Sequence, residues 1–211
     1  MNDLSPGEAR MKVVVIGATG TIGRAVADAL AEKHEVVRVS RTEGDHTADI
    51  EDAASLAALF GATGPVDAVV CCAGRASFKP LEQFAEPDFH LGLNSKLMGQ
   101  VNLVRIGLKH VRDGGSFTLT SGVLAWEPMP GGAAISPVNA AVEAFARAAA
   151  LELPRGVRVN VVSPPWVSET LQSMGRDPAH GMPAAQLARV YLSAVEGTQN
   201  GATLDARTFA P

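Results

Sequence analysis

The stretch "VVVIGATGTIGRAVADAL", residues 13–30, places Gly17, Gly20 and Gly23 three apart between an apolar run and an amphipathic one. Glycines at that junction permit a tight turn and a close backbone approach. The free N–H groups and positive dipole end of the next helix, with Thr19, Thr21 and Ile22 in the same loop, suit a pyrophosphate. Further on, "VVRVSRT" ends a second apolar run with Ser40 and Arg41. Dinucleotide sites for the unphosphorylated cofactor usually carry an acid here, which accepts from the ribose hydroxyls. A hydroxyl and a guanidinium suit a 2′-phosphate instead, so the sequence favours NADP over NAD. Arg38, inside the run, is a weaker candidate. In "ADI" at 48–50, Asp49 could meet the adenine amino group while Ile50 lies against the ring.

These residues need a scaffold that gathers strand ends. The runs "MKVVVIG", "HEVVRVS", "VDAVVCCAG", "GSFTLTSG" and "VRVNVVSPP" alternate with Ala-rich helical stretches. Apolar residues that run on without alternating imply burial on both faces, as in parallel strands covered by helices. The predicted fold is α/β, a doubly wound parallel sheet with helices on both faces. It forms a single domain over residues 11–211 after a flexible tail at 1–10. Pro and Gly cluster at 127–132 and 175–183. Both clusters follow strands, where loops of such sheets carry ligands, and they are expected to wall a pocket.

The chain has 211 residues, 46% hydrophobic and 19% charged, which suits one globular core. A net charge of −4 with no basic run argues against nucleic-acid binding. No apolar run approaches the ~20 residues that span a bilayer. The polar start "MNDLSPGEAR" lacks the core of a secretory signal, so a cytoplasmic location is expected. Cys71 and Cys72 are adjacent, and on a strand they point to opposite faces, which disfavours a disulfide between them. The five His show no ligand spacing, and no metal is expected. A small-molecule substrate is left as the expected partner.

Taken together, several motifs resemble the short-chain dehydrogenase/reductase family over nearly the whole chain. They are "GATGTIG", "ADI", "CCAG" at 71–74 in place of Asn-Asn-Ala-Gly, "KLMGQVNL" at 96–103, "GGSFTLTSG" at 114–122, "NAAVEAFARAAALEL" from 139, and "VRVNVVSPPWVSET" at 157–170. The resemblance implies seven parallel strands and a nicotinamide cofactor across their carboxyl ends. Cys72, Ala73 and Gly74 would lie beside that cofactor, as would Pro164 and Val167, whose backbone would hold the carboxamide. A hydroxyl from Ser168 or Thr170 would meet the phosphates. It also implies a homodimer or homotetramer built from the two long helices.

The same resemblance exposes a rewritten catalytic set. The family's Tyr-x-x-x-Lys signature maps onto Ile135 and Asn139, neither of which donates a proton as that pair does. The catalytic serine position maps onto Gly122, one residue beyond Ser121. A one-residue shift on a strand turns a side chain to the other face, so Ser121 needs a local irregularity to serve. The family's helical asparagine maps onto Lys96. Asn94, two residues away, is rotated by ~200° and should face elsewhere. Partial burial of Lys96 would lower its pKa towards use as an acid. Tyr191, the only tyrosine, lies in a late amphipathic helix and reads as core or lid. The expected function is an NADP(H)-dependent oxidoreductase acting on a small carbonyl, imine or enone. The alternatives are a nucleotide-binding sensor or scaffold without turnover, and an isomerase or dehydratase reusing the pocket.

Overall fold

The computed structural model describes residues 10–209, so the tail expected at 1–10 lies, Arg10 apart, outside the described residues. Seven strands form one sheet: β1 (Lys12–Ile16), β2 (Glu35–Ser40), β3 (His46–Thr47), β4 (Val66–Cys71), β5 (Val111–Thr120), β6 (Arg158–Ser163) and β7 (Thr203–Asp205). Their order is β3-β2-β1-β4-β5-β6-β7, and every neighbouring pair is parallel. The chain winds one way from β1 to β3 and the other from β4 to β7. The crevice beyond the carboxyl ends of β1 and β4 is therefore the switch point where such sheets bind ligands.

Unbroken apolar strands follow from helices on both sides. Val13 and Val15 of β1 face a core shared with α1 (Thr21–Ala31) and α7 (Ala184–Glu196), including Ala27, Leu30 and Leu187. Val14 and Ile16 face the opposite core, with Phe60 of α2 (Ala53–Thr63), Leu103 of α4 (Gly99–Gly107) and Val142 of α5 (Ile135–Ala149). Successive β1 side chains thus alternate between two dry faces. Cys71 packs in the α2/α4/α5 core and Cys72 against the α1/α7 core, and both are free thiols. Tyr191 is fully buried, its hydroxyl 2.7 Å from Thr120 Oγ1.

The helix before β5 runs from α3 (Glu86–Gly92) through a π-helical turn, Leu93–Met98, into α4. Such widened turns re-aim side chains and are frequent at functional sites. This one carries Lys96. A further short helix, α6 (Ser168–Ser173), follows β6. No helix among the described residues is long and apolar enough to cross a membrane.

Candidate active site

The crevice begins at the glycine loop. Gly17 has φ +82°, a conformation that side chains disfavour, and a Cβ on Gly23 would collide with the Gly17 carbonyl. The amides of Gly17 and Ala18 donate to Val39 O at 2.8 and 3.0 Å, tying the loop to the end of β2. No side chain caps α1 at Gly20, so its first amides remain available to an anion. A cavity of about 310 Å³ opens here. Gly17, Thr19 and Gly20 line it together with Ser40 and Arg41 after β2, Asp49 and Ile50 after β3, and Cys72, Ala73 and Gly74 after β4.

Not every one of these groups is free to bind. Ser40 Oγ donates to Glu43 O at 2.6 Å and accepts from the amides of Glu43 and Thr42, at 3.0 and 3.3 Å. Its hydroxyl builds the turn that presents Arg41. Arg41 is exposed and makes no ion pair among the described residues. Arg38 is paired with Asp28 at 2.8 Å, away from the crevice lining. One Asp49 oxygen accepts from Glu51 N at 2.9 Å. Ile50 packs so closely on the helix that a Cβ on Gly99 would lie 2.7 Å from its Cδ1. Two charged residues outside the sequence motifs also line it, Glu51 and Arg75, joined at 2.7 Å. The guanidinium of Arg75 lowers the Glu51 pKa, against the opposing effect of burial. Twenty-four residues separate them, and no local signal pairs them.

A second cavity, of about 140 Å³, lies at the carboxyl ends of β5 and β6. Ile22 of the glycine loop lines it with Ser121, Gly122, Val123, Leu124 and Asn139, and with Pro164–Val167. The structure therefore brings Ile22, Ser121, Asn139, Pro164 and Val167 together. Thr21 instead borders a separate cleft with Arg24 and Glu169. Thr170, on α6, lines none of these cavities.

Lys96 and Asn139 do not bond each other but grip the same loop. Lys96 Nζ donates to Ser121 O at 3.0 Å, and Asn139 Nδ2 to Gly122 O at 3.3 Å. Two flanking helices thus hold successive carbonyls of the chain leaving β5. Burial pulls the Lys96 amine from 10.5 down to about 8, with Cys71 weakly opposing. Burial also pushes the Cys71 thiol up to about 11, which leaves it inert as a nucleophile near neutral pH. Asn139 Oδ1 is buried and has no partner. Ile135 stands at the first turn of α5 with no proton to give.

Two further residues shape this end of the site. Gln100, with no exposed surface, accepts from Thr120 N at 2.8 Å and donates to Thr120 O and Lys96 O, both at 3.0 Å. It locks the π-helical turn to β5. Glu143, 1% exposed, accepts from Ser121 Oγ at 2.7 Å and from Trp126 Nε1 at 2.6 Å. The hydroxyl of Ser121 is thereby turned towards α5. Each has a signal in the sequence: Gln100 is four residues after Lys96, and Glu143 four after Asn139, so each shares a helix face with a site residue. The loops at 127–132 and 175–183, expected to wall a pocket, line neither cavity and reach the site only through Phe78, Lys79 and Trp166. Lys79 N donates to Gly131 O at 3.2 Å, Phe78 packs edge-on to Trp166 at 5.7 Å, and Arg176 lies 5.3 Å over the Trp166 ring.

With that geometry in view, comparison with known proteins is informative. A sequence model of the family described as Enoyl-(Acyl carrier protein) reductase matches residues 8–199. A hydroxynaphthalene reductase of Aspergillus fumigatus is 33% identical over 109 residues, which cover 51% of this chain and 40% of that protein. An uncharacterized oxidoreductase of Methylorubrum extorquens is 30% identical over 178 residues, covering 73% of this chain and 72% of that one. The match thus spans less than half the length of the Aspergillus relative. Among solved structures, a Listeria innocua protein superposes with a TM-score of 0.88 at 40% identity, over 92% of this chain and 98% of its own. A small-chain dehydrogenase in complex with NADPH superposes with a TM-score of 0.81 at 26% identity, over 93% and 96%.

Proposed function

The chain belongs to the short-chain dehydrogenase/reductase family, and on that premise we propose that it is an NADP(H)-dependent oxidoreductase acting on a small carbonyl, imine or enone. The observation that carries this is the unpartnered Asn139 Oδ1, buried in a cavity that Ile22 of the phosphate loop also lines. A buried acceptor left alone costs ~1–3 kcal/mol, and a ribose hydroxyl would satisfy it.

When bound, the nicotinamide supplies or takes up the hydride. The chain's own residues bind and orient it. The amides of Thr19, Thr21 and Ile22 hold the pyrophosphate, Arg41 the 2′-phosphate and Asp49 the adenine amino group. Cys72, Ala73 and Gly74 form the floor, and the Val167 backbone meets the carboxamide beside Pro164. The hydroxyls of Thr21 and Thr170 stand further out and serve the phosphates only by reorienting. Of the catalytic set, Lys96 holds a proton at Nζ for a carbonyl or enone oxygen, Asn139 orients the ribose, and Ser121 contacts the substrate. Trp166 walls the smaller cavity, with Phe78 packed edge-on against it.

A sensor without turnover is the weaker reading, because it gives no use to the second cavity at the carboxyl ends of β5 and β6. We place the homodimer or homotetramer contact on α4 and α5, where Val104, Leu108, Phe145 and Leu153 line an open apolar groove. The test is titration with NADPH and NADH, read by quenching of Trp166 and Trp126 fluorescence, followed by turnover on carbonyls, imines and enones. NADPH is expected to bind at least 10-fold more tightly than NADH and to be consumed with one of the three classes. Equal binding of the two refutes the cofactor preference, and tight binding with no turnover refutes the enzyme.

A further inference from the structure

Glu143 has no part in the scheme above, yet it is a carboxyl at 1% exposure, one helical turn beyond Asn139. Its two hydrogen bonds fix more than its own position. An indole N–H only donates, so Oε2 is an acceptor from Trp126. A hydroxyl has a single proton, and that of Ser121 goes to Oε1 at 2.7 Å. Ser121 therefore meets the cavity with lone pairs alone.

A ketone or enone presents an acceptor there too and finds no donor at Ser121, which leaves Lys96 as its one source of a proton. A protonated imine presents an N–H donor. Resting on the oxidoreductase reading, we propose that the substrate is a protonated imine whose N–H is donated to Ser121 Oγ, which the buried Glu143 carboxylate holds in the accepting orientation.

The chemistry closes without an acid. Hydride leaves NADPH, which is oxidised to NADP+, and forms a C–H bond at the iminium carbon. The C=N π pair becomes the nitrogen lone pair of a neutral amine, and no proton crosses from the protein. This accounts for Ile135 at the position of the lost tyrosine. The charged groups around the loop are Glu143 from α5, Lys96 from the π-helical turn and Arg176 from the loop after α6. Lys96 is engaged by Ser121 O and Arg176 by the face of Trp166, so neither is aimed at Ser121 Oγ. Glu143 is the positioning residue, and Ser121 touches the substrate.

The test compares 2-methyl-1-pyrroline with cyclopentanone, using NADPH and the full chain. The wild type is expected to favour the imine by about 100-fold in kcat/KM. In Glu143→Gln the amide oxygen can still accept from Trp126, while the NH2 now donates to Ser121 Oγ and frees its proton to point into the cavity. The imine-to-ketone ratio should then fall by about 10- to 100-fold, the worth of one misdirected buried hydrogen bond, with NADPH affinity unchanged. Because a buried substitution can impair folding, Ser121→Ala is measured alongside. It should weaken binding of pyrrolidine to the NADP+ complex by calorimetry at least about 10-fold, and leave binding of cyclopentanone, which has no proton to donate, unaltered. A wild type that prefers cyclopentanone, or a ratio that neither variant moves, overturns this inference and leaves the oxidoreductase reading standing. Failure to bind NADPH at all removes both.

Discussion

Replacing Lys96 by Met tests directly whether the buried amine is a burden that the fold carries. Burial lowers its pKa from 10.5 to about 8, so the folded state holds this proton less firmly than the unfolded chain does. Below pH 8 the charged amine destabilises the wild type, and the penalty disappears as pH rises towards 10.5, where the unfolded chain also loses the proton. At 1.36 kcal/mol per pKa unit the lowering is worth about 3 kcal/mol, and we halve it to about 1.5 because the side chain keeps some exposure. Methionine preserves the apolar stem but gives up the bond to Ser121 O. That loss is nearly independent of pH, so it cancels when two pH values are compared. Urea unfolding at pH 7, 8, 9 and 10 should therefore show the wild type gaining about 1.5 kcal/mol on Lys96→Met between the two ends of the series. A difference that stays flat within about 0.5 kcal/mol, or one that runs the other way, would refute the claim that burial controls this amine.

Three further outcomes are expected. Gln100→Leu keeps the volume but strips Thr120 N and O of their partners, so it should cost about 2–4 kcal/mol, seen as a melting temperature lower by about 4–12 °C; a shift under about 2 °C would contradict the role of this clamp. Arg41→Glu should weaken NADPH binding by about 100-fold and spare NADH, measured by fluorescence titration; parallel losses would mean that Arg41 does not meet the 2′-phosphate. Gly23→Ala forces a Cβ onto the Gly17 carbonyl, so nucleotide binding should be lost by titration, and an alanine variant with wild-type affinity would show that the loop relaxes freely.

What could be read along the chain was what depends on near neighbours. The two-sided burial of β1 was visible because Val13 to Ile16 are apolar without interruption. The crevice was visible because a glycine loop between strand and helix has few other uses. The placement of Asp49 and Ile50 at the crevice came from the order of the motifs alone. What could not be read were groups whose partners come from elsewhere. Ser40 looks like a free hydroxyl until the turn to Glu43 consumes it. Glu51 and Arg75 find each other across two loops. The spacing of Val138, Val142 and Ala146 marks the face of α5 that carries Glu143 as buried, but its partners Ser121 and Trp126 come from another segment. The direction of the Ser121 proton depends on that glutamate, so the polarity of the cavity could not be read before the packing was known.

The double grip on the chain leaving β5 has a consequence for how this site can change. Lys96 and Asn139 act on adjacent peptides, so a substitution at one alters the object that the other holds, and their effects should be strongly non-additive. Changing either alone releases one carbonyl and strains the second contact. Exchanging amine and amide between the two helices keeps one donor on each. The double variant Lys96→Asn with Asn139→Lys should therefore lose less stability than the two single variants do in sum.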